Sequence, residues 1–296
     1  MVTVGDQIEE TRRHLQGMQR PEFNFLTSTI TSGATTLTFD LPQGGIQRNG
    51  IISIDDEMMF VKSVSAQVAT VSRGWLGTTA AAHTAAATIE VNPRFPRFAI
   101  KEALKEEIRS WPTSLYWVDT ITVASASTST TDRSYDLTSV GSFYAVRDVR
   151  HEPFATTTGG TWPVIDDWEV ARNLPTADFA SGSALFLAKY LEKAARLQLT
   201  VTKPFVTSTW ADSTDMETTV KLASSMLDIP PMGAAWRLLA PRETQRTFTE
   251  AQSESRLAQD VPPGATITTA ERLKRLRDLR IVEEGDRLAR QMPLRW

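Results

Sequence analysis

Short apolar runs separated by turn residues fill residues 23–92. The runs are rich in β-branched and aromatic side chains. They recur about every ten residues, the spacing expected of short strands joined by tight turns. Two glycine-containing segments, 43–45 and 49–50, have the composition of such turns. The pattern therefore predicts a small β-module over residues 23–92, either a barrel or a sandwich.

A second β-rich region lies at residues 113–212. Its apolar runs are interrupted by small polar stretches at 124–134 and 156–161, which are typical of exposed loops. The region holds about seven candidate strands, the number found in many two-sheet domains. We therefore interpret residues 113–212 as a β-sandwich.

Charged segments with apolar residues along one side predict helices in the rest of the chain. They lie at residues 5–20, 93–112, 213–227, 233–246 and 266–292. Asp6, with Glu9 three residues later, is the expected cap of the first helix. Pro230 and Pro231 are expected to separate the third helix from the fourth. In the last helix, one side is marked by apolar residues at three-residue spacing: Leu273, Leu276, Leu279 and Val282.

Helix 93–112 has an apolar stripe but no neighbouring helix in the sequence. An amphipathic helix of this length is unstable alone in water, so we expect it to pack with the helices after residue 212. The predicted fold class is α+β and multidomain. An N-terminal helix (1–22) and the β-module (23–92) precede a helical bundle built from 93–112 and 213–296. The β-sandwich (113–212) is inserted into that bundle.

Composition and charge narrow the function. The 296 residues carry a formal net charge of −3, whereas proteins that grip the DNA backbone usually have a basic excess. The absence of cysteine excludes disulfides, thiolate metal sites and cysteine nucleophiles. No apolar stretch is long enough for a membrane span, and no secretory signal is evident, so we expect no membrane partner and folding in the cytoplasm.

Candidate catalytic residues are few. His14, His83 and His151 stand far apart and match no metal-ligand spacing. The acidic clusters 55–57 and 166–167 could serve acid–base chemistry or bind calcium. Both lie at predicted turns, which favours solvated carboxylates instead. The sequence lacks the phosphate-binding and nucleophile motifs, so we expect no enzymatic activity, no cofactor and no metal site.

The eight tryptophans are more informative. Trp162, Trp168 and Trp210 lie at the ends of predicted strands, where they could stack on sugars. Packing in a core or an interface is the favoured interpretation. Trp296 follows the helix-ending Pro293 and is expected to anchor in a pocket on a neighbouring protein.

The most specific passage is VSRGWLGTTAAAHT, residues 71–84. Gly74 and Gly77 permit a tight loop after a strand, and Thr78 and His83 can form hydrogen bonds within it. This passage resembles a segment of small β-modules in phage virion proteins. The preceding residues that share the resemblance are Ile52, Ile54, Glu57, Met59 and Val61. The resemblance implies a structural role for His83.

The outline of the chain resembles the head-to-tail connectors, or adaptors, in the neck of tailed bacteriophages. The resemblance covers the β-module and the final helix but not the inserted sandwich. It implies a virion protein that forms a ring of roughly twelve copies beneath the portal protein. Residues 93–112 and 213–296 would form the adaptor core of that ring. The other implied partners are tail or neck proteins and, in passing, the DNA in the channel.

The predicted docking residues lie at the end of the last helix and in the following tail. They are Arg290, Leu294, Arg295 and Trp296. A baseplate or other tail position is an alternative to the neck. A carbohydrate-recognising receptor-binding protein would need exposed tryptophans lined up on the sandwich. A hydrolase would need a pocket of converging polar groups.

Overall fold

The computed structural model describes residues 1–16, 22–42, 45–124, 133–152, 162–188, 196–208, 210–250 and 265–291. The chain divides into two compact units. The first comprises Met1–Ser110, Thr207–Val220 and Ser224–Ile281. The second comprises Trp111–Val206, Lys221–Ala223 and Val282–Trp296.

The described ranges contain four α-helices. They are α1 (Val4–Gln16), α2 (Arg97–Arg109), α3 (Ile229–Glu250) and α4 (Ala265–Gln291). The first three pack against one another in the first unit through buried side chains such as Ile8, Leu104 and Leu239. None of the helices in these ranges combines the length and the apolar character needed to cross a membrane.

Two predictions about the helix ends are wrong. Thr3, rather than Asp6, caps α1. The Thr3 hydroxyl accepts the Asp6 N–H at 3.2 Å, and the Asp6 carboxylate accepts the Thr3 N–H at 2.8 Å. Pro230 and Pro231 do not end a helix but lie in the first turn of α3, where a missing N–H costs no helical hydrogen bond.

Residues 213–227 do not form the predicted helix. Turns and one short 3₁₀ helix, Ser224–Met226, occupy this stretch. Its backbone pairs with the N-terminal segment instead: the Val4 N–H donates to the Thr214 carbonyl, and the Met216 N–H donates to the Val2 carbonyl. A segment bonded along its backbone to a second segment cannot also form the internal hydrogen bonds of a helix.

The β-module of the first unit is a six-stranded antiparallel sheet. Its strands are β1 (Phe23–Phe25), β2 (Thr36–Thr38), β3 (Ile51–Ile54), β4 (Glu57–Ser65), β5 (Val68–Ser72) and β6 (Thr88–Val91), in the order β1-β6-β3-β4-β5-β2. The sheet curls into a half-barrel. The chain just after β1 meets the chain just after β2 through hydrogen bonds from Asp40 N–H to Phe25 O and from Thr27 N–H to Thr38 O. Apolar side chains from all six strands or their ends fill its core.

The second unit contains two three-stranded antiparallel sheets. Their strands are β7 (Trp117–Ala124), β8 (Ser134–Asp136), β9 (Ala145–His151), β10 (Trp168–Arg172), β11 (Ser183–Leu187) and β12 (Arg196–Lys203). One sheet has the order β7-β12-β9 and the other the order β10-β11-β8. Side chains of both sheets, including Val149, Leu185 and Leu199, share one buried core, as in a sandwich.

The predicted fold class, a helical bundle bearing two β-modules, is wrong. The described chain is a mixed α and β protein made mostly of strands, with three antiparallel sheets and four helices. Two observations explain the error. The segment 213–227 contributes no α-helix, and much of the apolar side predicted for α4 faces solvent rather than a helical core.

Candidate functional site

The loop between β5 and β6 is built around a buried carboxylate. Glu57, the first residue of β4, is only 1% exposed. Its two oxygens accept hydrogen bonds from Arg73 Nε and Arg73 Nη2, each at 2.7 Å. This bidentate geometry is the strongest pairing between a guanidinium and a carboxylate. Arg73 directly follows β5, so the pair ties the start of the loop to the β3–β4 hairpin.

The same carboxylate also holds the rest of the loop. It accepts the N–H of Gly74 at 3.1 Å and the N–H of Ala81 at 2.9 Å, and His83 Nε2 lies 3.0 Å away. Burial alone would raise the pKa of Glu57. The hydrogen bonds from Arg73, Ala81 and His83 outweigh it and lower the pKa to about 2. Glu57 is therefore ionised at neutral pH.

His83 bridges two carboxylates. Its Nδ1 lies 2.9 Å from Asp55 Oδ2, and its Nε2 faces Glu57. Its backbone is bonded in both directions to Ile30. An Asp–His–Glu arrangement can relay protons in an enzyme. Here the imidazole and Glu57 are both buried, so the geometry fits a structural tie, as the sequence predicts for this histidine.

Arg73 connects further segments of the module. Its Nη1 donates to the carbonyls of Thr31 at 2.8 Å and Ala34 at 3.0 Å, and its Nη2 also reaches the Ala81 carbonyl. One guanidinium thus joins the β1–β2 connection, the hairpin and the loop. We call Glu57, Arg73 and His83 the buried ion network.

The acidic cluster at residues 55–57 is therefore only partly the solvated turn that the sequence predicts. Asp55 is exposed, Asp56 pairs with Lys101 of α2, and Glu57 is buried. The sequence carried a signal for this, because Glu57, Met59 and Val61 alternate along β4 and so share its inner face. The second cluster, Asp166 and Asp167, is exposed as expected.

The loop tip, Trp75–Gly77, presents apolar side chains to solvent. Trp75 stacks on Phe60, with ring centroids 4.9 Å apart, and remains partly exposed. Leu76 is 66% exposed. Thr78 fixes the tip from below, since its hydroxyl donates to the Trp75 carbonyl at 2.9 Å and accepts the Met58 N–H at 3.1 Å.

The backbone of the loop tip is strained at Leu76. Its φ of 54° lies in the left-handed region, between Gly74 at 62° and Gly77 at 82°. A residue with a Cβ adopts this conformation at a cost of about 1–2 kcal/mol, and an asparagine or glycine would be less strained. Leu76 is therefore both strained and exposed, which makes the loop tip a candidate for a contact with another molecule.

The outer face of α4 is a second exposed apolar surface. Leu273 is buried, but Leu276, Leu279 and Val282 are exposed. Residues three apart in a helix are rotated by about 60° from one another, so a run of four sweeps about half the circumference. The prediction that these four residues lie along one side of the helix is therefore wrong.

The inner side of α4 is held by another buried carboxylate. Glu107 of α2 is fully buried and accepts hydrogen bonds from Arg237 Nε at 2.9 Å and Arg277 Nε at 2.6 Å. These arginines belong to α3 and α4, so Glu107 joins three helices of the first unit. Gly233 makes room for it, because a Cβ there would lie 2.1 Å from Glu107 Cδ.

Most of the predicted docking residues lie outside the part of the chain that the structure describes. Arg290 lies in the last turn of α4 and is exposed. Leu294, Arg295 and Trp296 lie outside the described residues. The docking role of this tail therefore remains a prediction.

The tryptophans expected near strand ends are not aligned on an exposed surface. Trp210 is buried, Trp162 is half-buried, and Trp168 packs on the sandwich core. Among the side chains that the structure describes, no group of three or more histidine, aspartate or glutamate residues is placed to hold a metal ion.

No protein-family model matches the sequence. No curated protein matches it at a significant level.

Proposed function

We propose that this chain is a structural virion protein, a ring-forming connector subunit that joins the portal to the tail in the neck of a tailed bacteriophage. The observation that carries the proposal is the loop tip. It lies within the passage that resembles phage virion β-modules, and it exposes Trp75 and Leu76 on a base fixed by the buried ion network.

The loop tip is suited to a contact between proteins. Side chains that are already held in one conformation lose little entropy on binding, and tryptophan is among the residues that provide most of the energy of protein interfaces. The bidentate Glu57–Arg73 pair and the Thr78 hydrogen bonds supply that preorganisation. A flexible loop with the same side chains would bind more weakly.

In the proposed assembly, the loop tip of each subunit docks on a different surface of the next. A head-to-tail contact of this kind repeats until a ring closes, here with roughly twelve copies. The tail that contains Leu294, Arg295 and Trp296 docks on the portal, and DNA passes through the ring with only transient contact. The protein works through affinity and geometry, with no substrate, cofactor or metal.

Electron microscopy of negatively stained protein, alone and mixed with a portal protein, tests the proposal. Native mass spectrometry of the same samples counts the copies. We expect rings from the unmodified chain and none from Leu76→Asp, which places a charge in the docking contact. Val68→Asp is the matched control, because Val68 is an exposed apolar residue of the same module away from the loop tip.

Rings from Val68→Asp but not from Leu76→Asp would support the loop tip as the docking element. An unmodified chain that forms no ring with or without the portal protein would contradict the connector role. Rings that persist in Leu76→Asp would leave the connector role standing but remove the loop tip from it.

A further inference from the structure

The outer face of α4 has a symmetric arrangement of side chains about Leu279. Leu276 and Val282 lie three residues to either side, Arg275 and Glu283 four residues, and Arg272 and Asp286 seven residues. Offsets of three, four and seven return to the same side of a helix. These seven residues therefore form one surface, and all seven are exposed. The surface lies on one continuous helix, whose own geometry sets it.

The charges on this surface change sign across its centre. Arg272 and Arg275 precede Leu279, whereas Glu283 and Asp286 follow it. When a second copy lies antiparallel with its Leu279 on the first, each residue faces the one at the opposite offset. Arginine then faces acid at both charged positions, and Leu276 faces Val282.

We infer that the outer face of α4 binds the same face of a second copy of this chain, antiparallel and related by a two-fold axis at Leu279. Such a contact is isologous, with the same patch used by both subunits. It covers the exposed apolar residues and leaves each arginine opposite an acid, with every such pairing made twice. The inference goes beyond the proposed connector role and does not depend on it.

The charge pattern also disfavours a parallel pair in the same register. A parallel pair in the same register places Arg275 on Arg275 and Asp286 on Asp286, and like charges across an interface cost free energy. Glu283 also has an interaction within its own chain. Of the two charge pairs, we therefore expect Arg272 with Asp286 to contribute more to the contact. The contact is short, about 21 Å from residue 272 to residue 286 along the helix. We therefore expect a dimer that depends on protein concentration.

Single cysteines test the geometry, because the chain contains none of its own. Leu279→Cys places one thiol on each side of the proposed axis, so a short bis-maleimide reagent should link two copies. Arg272→Cys is the matched control. Its two thiols would lie about 21 Å apart across the antiparallel pair, beyond the reach of the reagent. A mixture of Arg272→Cys and Asp286→Cys chains should cross-link again.

Efficient dimer formation by Leu279→Cys and by the mixture, with little from Arg272→Cys alone, would support the pairing. Equal cross-linking of Arg272→Cys alone would overturn it in favour of a parallel contact. Failure of all three combinations, with a monomer in sedimentation experiments at high protein concentration, would also overturn it. Circular dichroism of each variant verifies that the full chain remains folded.

A charge exchange provides a second test on the full chain. Arg275→Glu places acid opposite acid and should weaken the dimer. In sedimentation experiments, we expect its dissociation constant to rise by about fivefold or more. Adding Glu283→Arg restores opposite charges across the pair and should recover most of the dimer. Lack of recovery, with both variants folded, would contradict the proposed register.

Discussion

Glu57→Gln tests whether the buried ion network stabilises the β-module. The substitution keeps the shape of the side chain but removes its charge. The new amide carries two N–H groups and only one acceptor oxygen. It would face Arg73, His83 and two backbone N–H groups, all of which are positioned to donate to a carboxylate.

The magnitude follows from the pKa of Glu57, which is lowered from 4.5 to about 2. Each pKa unit corresponds to about 1.36 kcal/mol, so the folded module favours the ionised form by about 3 kcal/mol. The side chain is almost fully buried, so solvent screening reduces this value little. Loss of one member of a buried ion pair costs about 3–5 kcal/mol in other proteins, in the same range.

The sign of the pH dependence follows from the direction of the change. The folded-state pKa of Glu57 lies below the unfolded-state value, so the stabilisation is fully present above about pH 4.5. It declines as the pH falls toward 2, because the unfolded chain then binds a proton that the folded chain excludes. Glu57→Gln lacks this titrating group and should show a smaller loss of stability over the same pH interval.

Hydrogen exchange of peptides from residues 23–92 measures the free energy of opening of the module itself. We expect a decrease of about 3 kcal/mol at neutral pH for Glu57→Gln. Glu106→Gln, at an exposed position of α2, is the control and should change it by less than about 0.5 kcal/mol. A decrease below about 1 kcal/mol for Glu57→Gln, or an unchanged acid sensitivity, would refute the reasoning.

Three further predictions concern other parts of the chain. Leu76→Asn should relieve the left-handed strain and raise the free energy of unfolding by up to about 1 kcal/mol, seen by calorimetry as a melting temperature higher by about 2–4 °C. A lower melting temperature would argue against strain. Gly233→Ala should lower the free energy of unfolding in urea by about 1–3 kcal/mol, because the added Cβ collides with Glu107. Removal of residues 293–296 should leave the melting temperature unchanged and abolish capture by a portal protein in a pull-down.

Local patterns predicted the parts of the fold that depend on neighbours in sequence. Alternation along β3 placed Ile52 and Ile54 inward, and both are buried. The apolar stripe of 93–112 is α2, which packs on α1 and α3. Hydrophobic burial drives both arrangements, so both are visible in the spacing of apolar residues.

Contacts between distant segments could not be predicted in the same way. Residues 213–227 carry good helix-capping side chains, but their backbone pairs with a segment some two hundred residues earlier, as in the Val4–Thr214 hydrogen bond. Glu57 lies in an acidic run that is typical of an exposed turn. Its burial is favourable only because Arg73 and His83 form hydrogen bonds with its carboxylate. The partner of a buried charge is a property of the fold, and no periodicity identifies it.

The exposed side of α4 also could not be predicted from the spacing of apolar residues. Leu276, Leu279 and Val282 are the residue types of a packing face, but in the described part of the chain nothing buries them. Apolar spacing alone cannot tell whether such a face is covered by the same chain or by another. The charges at equal distances from Leu279 add information, because their signs are complementary to those of an antiparallel second copy.

The two proposed contacts have different symmetries, and this makes them separable. The loop tip joins unlike surfaces and can propagate around a ring, whereas the face centred on Leu279 joins like surfaces and ends at two copies. Leu76→Asp should therefore remove rings and leave the dimer, while Leu279→Lys should remove the dimer and leave rings. If either substitution abolished both assemblies while the chain stayed folded, the loop tip and the α4 face would have to belong to one interface. The assignment of a separate partner to each would then be wrong.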